Sequence, residues 1–194
     1  MIDASPLHRA LAFVAIANLA YFGIEISVAL AIHSASLIAD SVDFLEDASV
    51  NLLILTALNW TEPTRARVGF GLAGLLLAPA LATLWTIGNQ FMHPVVPHAF
   101  SLSITGLGAL AVNLTCAFVL ARFRHHRGSL TKAAFLSARN DAVANVAIIA
   151  AGLITLVWPS IWPDLVVGIG IAIMNAGAAK EVIEAAHRER DPRP

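Results

Sequence analysis

Charge is scarce in this chain. Only 13% of its 194 residues are Asp, Glu, Lys or Arg, about half the usual share of a soluble domain. With 58% hydrophobic residues and a mean hydropathy of +0.75, this excludes a soluble globular protein, a disordered chain and a nucleic-acid binder. There is one cysteine, so neither a disulfide framework nor a thiolate metal site is available. The net charge of −1 says nothing of partners, but the placement of the charges says much.

A hydrocarbon core about 30 Å thick takes about 20 apolar residues per helix. Six stretches meet that length, at 9–31, 35–59, 68–90, 99–121, 132–157 and 162–185. Turn signals separate most of them: Thr61-Glu62-Pro63, the Pro94 to Pro97 segment, Arg127-Gly128-Ser129, and Trp158 to Pro163. The predicted fold class is all-α, a polytopic membrane protein of six transmembrane helices forming one domain over 1–194. The first stretch is too long for a signal-peptide core and reads as a retained helix.

Lys and Arg fix the expected orientation. Arg9, Arg65, Arg67, Arg122, Arg124, Arg127, Lys132, Lys180, Arg188, Arg190 and Arg193 all fall on one side, and the three opposite loops contain neither residue type. Arg139, about two turns into the fifth span, can snorkel to that same side. Both termini are therefore expected in the cytoplasm. Trp85, Trp158 and Trp162 then mark the outer interface and Trp60 the inner one.

Against this apolar background the second span holds Asp40, Asp43, Glu46 and Asp47, the first adds Glu25 and the fifth Asp141. Each charge at bilayer depth costs about 2.5–3.5 kcal/mol on insertion scales. At 3.6 residues per turn, Ser36, Asp40, Asp43, Asp47 and Asn51 share an arc of about 80°. Asp43 and Asp47, at i and i+4, can reach one ion, and carboxylate oxygens suit a divalent cation. Pairing with basic residues would be the ordinary alternative, but only Arg139 lies near the midplane. Asp40 has two readings, a ligand or a polar cap at the outer helix end. Glu46, on the flank, reads as a pairing or hydrogen-bonding residue. Glu25 reads equally as a hydrogen bonder or a protonation site.

The fifth span repeats part of the second. Asp47-Ala-Ser-Val-Asn51 and Asp141-Ala-Val-Ala-Asn145 share a D-A-x-x-N pattern on helices of opposite direction, an inverted repetition of the kind that brackets midplane sites. Ser137, Asp141 and Asn145 share a face, and Asn140 lies beside Asp141. Asn51 and Asn145 read as interhelical hydrogen bonders. Cys116 reads as packing. His33, His93 and His98 fall on the outer side, and His125 and His126 in a basic inner loop; all five read as solvated or structural more readily than as metal relays.

The run from His33 through Asp40, Asp43 and Asp47, with Asn18 and Glu25 before it and the Asp141 segment after it, resembles the cation diffusion facilitator family. The resemblance implies export of divalent transition metals from the cytoplasm in exchange for protons, with the metal bound between the second and fifth helices. It places ligands at Asp43, Asp47 and Asp141. The family usually has a His where this chain has Ser137, so the fourth ligand is expected from Ser137, Asn140 or water. An oxygen-rich set suits Mn, Fe(II) or Co, with Zn and Cd also candidates. The family also usually carries a cytoplasmic metal-binding domain after the sixth helix, where only about ten polar residues follow here. A homodimer, if formed, would use the membrane helices.

The expected partners are thus metal ions, protons and the bilayer, with no permanently bound cofactor, no nucleic acid and no enzymatic activity. The expected location is a bacterial inner membrane. The rival expectation is a metal-sensing or accessory membrane protein that does not transport.

Overall fold

The computed structural model describes residues 4–57, 81–122 and 128–175, with the side chains of 4, 5, 54, 56, 57 and 128–139 outside that description. These residues form six helical segments and no strand. They are α1 (Ala4–Ile32), α2 (Ala35–Ala57), α3 (81–92), α4 (Ala99–Ala121), α5 (Gly128–Val157) and α6 (Trp162–Asn175). Beside the expected spans, α1 runs Ala4–Ile32 against 9–31, and α4 runs Ala99–Ala121 against 99–121. The fifth begins earlier than expected: Gly128 and Ser129 read as a turn but belong to the helix. Gly and Ser are common at helix starts as well as in turns, so composition alone does not separate the two. Residues 58–80 and 176–194 of the expected spans lie outside the described residues.

Three helices are long and apolar enough to cross a membrane, over Pro6–Ile32, Ala99–Ala121 and Asn140–Val157, and Trp162–Asn175 is a shorter apolar helix. The acids of α2 make it less apolar than these, although it packs within the same bundle. The molecule is an all-α polytopic membrane protein. Its surface is apolar: Phe13, Ile16, Leu19, Phe118, Val146 and Ile173 are exposed, while Asn18, Glu25, Asp40, Asp47, Asn113 and Asn145 are buried. In lipid this inversion is the stable arrangement, because polar groups find partners only inside the bundle.

Helix α1 packs along α2 and α4 along α5, with further contacts of α1 on α4 and α2 on α5. Two apolar clusters form. One gathers Ala29, Leu37, Ile38, Leu102, Ile148 and Ile171; the other gathers Leu11, Val14, Cys116, Ala117 and Leu120. Along α1 and α4 the buried polar residues fall between these two clusters.

A tight corner joins α1 to α2. His33 adopts φ 56°, and the Ser34 N–H donates back to the Ala29 carbonyl at 3.0 Å, a pattern that closes a helix C-terminus. Ser34 Oγ then accepts from the Leu37 N–H at 3.2 Å as the N-cap of α2. The corner is held from outside by Asp164 of α6. Its Oδ1 accepts from Ser34 Oγ (2.6 Å), Ser36 Oγ (2.5 Å) and the Ser36 N–H (3.2 Å), and its Oδ2 from the Ala35 N–H (2.8 Å). A carboxylate at a helix N-terminus satisfies orphan donors and complements the helix dipole. Gly168 permits this approach: a Cβ there would lie 2.8 Å from Ala35 C and Ser36 N. Gln90 of α3 ties the same corner to the α3–α4 loop, donating to the carbonyls of His33 (2.6 Å) and Val95 (3.1 Å).

Candidate metal centre

Asp43, Glu46 and Asp47 of α2, Asn140 and Asp141 of α5, and Met174 and Asn175 of α6 line one cavity of about 130 Å³. A water molecule's share of liquid volume is about 30 Å³, so the cavity has room for a cation and a few waters. Its position follows from local helix geometry. Asp43 and Asp47 stand one turn apart on α2, and α2 meets α5 directly.

The carboxylates feel one another. Asp43 faces the charges of Asp141, Glu46 and Asp47, and Asp141 faces those of Asp47 and Glu46. Among the described residues that line the cavity there is no Lys, Arg or His. Asp47 is 7% exposed, so the negative charge is concentrated where water screens it poorly. Such a site attracts cations and, equally, protons. Among the described residues no three His, Cys, Asp or Glu side chains already stand as a finished metal cluster.

The polar stripe of α2 is divided among several partners. Ser36 is bonded to Asp164. Asp43 and Asp47 face the cavity. Asn51 Nδ2 donates to the Asp47 carbonyl at 2.7 Å, within its own helix. Asp40 does not line the cavity. It is fully buried, and its Oδ2 accepts from Asn145 Nδ2 at 2.5 Å. Asn145 in turn accepts at Oδ1 from Asn113 Nδ2 at 3.0 Å, making the interhelical bonds expected of it.

Of the other sequence candidates, Asn140 lines the cavity with Asp141, whereas the side chains of Ser137 and Arg139 lie outside the described residues. Cys116 is buried in an apolar cluster, with its Sγ 4.0 Å from Asn18 Oδ1. His98 caps α4, accepting at Nδ1 from the Ser101 N–H at 3.3 Å. His125 and His126 are outside the described residues.

Three residues carry more than the sequence reading gave them. Glu46 lines the cavity rather than pairing elsewhere on the flank. Asn175 reaches it from α6 while its Nδ2 donates to the Ala39 carbonyl at 3.2 Å. Asp164 anchors α2. Two of them had a signal: Asn175 interrupts an apolar run, and Asp164 is an acid within the expected sixth span.

Comparison with known proteins supplies the last piece. A family model described as the cation efflux transmembrane domain matches residues 11–188. No curated protein matches the chain. With its six helical segments, its apolar exterior and a match over nearly its whole length, the chain belongs to the cation efflux family.

Proposed function

We propose that this membrane metal-cation transporter exports divalent transition-metal cations from the cytoplasm by proton antiport, with Asp43, Asp47 and Asp141 as the metal ligands. The observation that carries the reading is the cavity where carboxylates of α2 and α5 converge with Asn140 and Asn175. Asp40 is left out of the ligand set because its carboxylate is bonded to Asn145 instead. Ser137, Asn140 or water completes the coordination. An all-oxygen set favours Mn, Fe(II) and Co relative to a site containing imidazole, with Zn and Cd as further substrates.

The chemistry follows from the charges. Facing inward, the site loads a cation onto deprotonated carboxylates. Facing outward, protons bind the same oxygens and displace it, so metal and protons move in opposite directions through one set of groups. The proton gradient sets the direction, and the Lys and Arg partition puts both termini on the cytoplasmic side. The setting is a bacterial inner membrane.

Flux into proteoliposomes holding an interior metal-responsive dye tests this. Zn, Co, Fe(II), Mn and Cd are compared with and without a pH gradient, for the wild type and Asp47→Ala. Gradient-dependent flux that disappears in Asp47→Ala is the expected result. Absence of flux for every cation, in folded protein that still binds metal, would overturn it in favour of an accessory or sensing role.

A further inference from the structure

A second group of carboxyls lies beside the cavity and is not among its lining residues. Glu25 of α1 is 0% exposed, and no N–H or O–H among the described residues reaches either of its oxygens. Asp40 of α2 is also 0% exposed, and its Oδ1 lacks a donor as well. The two carboxyls stand within hydrogen-bonding reach of each other.

The surrounding groups cannot supply the missing donors. The Tyr21 hydroxyl, the nearest phenol, donates to the Thr105 carbonyl at 2.6 Å. Asn145 spends its Nδ2 on Asp40 Oδ2, and its Oδ1 is held by Asn113. The other titratable groups facing the pair are Asp43 and Asp141, from the cavity side, and Tyr21. Among the described residues none of these brings a positive charge. Two carboxyls in contact, away from water, cannot both be ionised. Three buried acceptor atoms without a donor are also too costly to leave so.

We propose that Glu25 and Asp40 form a one-proton binding site, separate from the metal cavity, in which Glu25 is the protonated partner and donates to Asp40 Oδ1. One proton removes the first difficulty and accounts for two of the three unpartnered atoms. It removes one of two adjacent charges and creates the O–H donor that the pair lacks. Asn145 fixes the polarity, because its bond stabilises the charge on Asp40 rather than on Glu25. The site depends on burial and contact within the bundle and does not rest on transport.

Infrared spectroscopy of the full chain in lipid, at neutral pH and without added metal, reads the proton directly as the C=O stretch of a protonated carboxyl. The wild type is expected to show one such band that is lost in Glu25→Gln and that shifts in Asp40→Asn, where its acceptor changes. Helical circular dichroism establishes that each variant is folded. A wild-type spectrum indistinguishable from that of folded Glu25→Gln overturns the proposal. If Glu25→Gln does not fold, Asp40→Asn decides: a displaced band supports the shared proton, and an unmoved spectrum overturns it. Flux measurements are not involved, so this result stands apart from whether the cavity carries metal.

Discussion

Asp40 and Asn145 meet across two helices, with Asn145 Nδ2 2.5 Å from Asp40 Oδ2. They are the outer acid of the α2 stripe and the asparagine of the D-A-x-x-N pattern in α5. Their contact takes Asp40 out of the cavity and leaves Asp43 and Asp47 to face Asp141. It also joins α2, α5 and, through Asn113, α4 in one buried polar chain.

Breaking that chain is expected to cost stability. Asn145→Ala removes the donor to Asp40 and the acceptor of Asn113, both buried. Stranding a buried polar partner costs about 1–3 kcal/mol. Thermal unfolding in detergent should show a clear drop for Asn145→Ala and a smaller one for Asn113→Ala, which leaves the Asp40 bond in place.

The clamp on the α2 N-terminus gives a graded series. Asp164→Ala removes the acceptor of four hydrogen bonds. Bonds to charged groups are worth about 1.5–3 kcal/mol each in isolation and less than additive together. Asp164→Asn keeps an acceptor but places an amide N–H where a donor already points. Unfolding midpoints should fall in the order wild type, Asn variant, Ala variant. Equal midpoints for all three would show that α2 holds its start without α6.

Close approach of α6 to α2 makes Gly168 intolerant of a side chain. Its added Cβ would meet backbone atoms of Ala35 and Ser36 at 2.8 Å, and backbone cannot turn aside. Gly168→Ala is expected to destabilise by about 1–3 kcal/mol. Gly170→Ala, where the added carbon meets nothing within 4 Å, should be neutral or better. The same unfolding assay compares them.

Metal binding should weaken as pH falls. Under the proposed ligand set, protons compete with the cation for Asp43, Asp47 and Asp141. Affinity is expected to drop by up to about tenfold per pH unit for each proton displaced. Calorimetric titration from mildly alkaline to mildly acidic buffer measures this, and repeating it in buffers of different ionisation enthalpy counts the protons released. Asp141→Asn should lower both affinity and proton count.

Asn175 tests whether α6 contributes to the cavity. Asn175→Ala removes an amide that lines it and is tied to the Ala39 carbonyl. Loss of such a supporting group typically lowers metal affinity about tenfold or more. Unchanged affinity in the folded variant would limit the site to α2 and α5.

Much of this was legible in the sequence because its causes are local or compositional. Apolar length gave the helices. The D-A-x-x-N repetition and the i, i+4 spacing gave Asp43, Asp47 and Asp141, which line one cavity. That Glu46 also lines this cavity was not legible, because helical angle places a side chain relative to its own helix only and the neighbour's position decides what a flank residue meets.

The sequence by itself determined the all-helical membrane architecture and which acids lie at depth, since lipid imposes length and hydropathy on every span. Only the tertiary structure decided how the acids divide. Ser36 turned to Asp164, Asp40 to Asn145 and Glu25, and Asp43 and Asp47 to the cavity, because buried polar groups take the partners that packing brings within about 3 Å. That distance is set between helices far apart in the chain, and no spacing along a single helix encodes it.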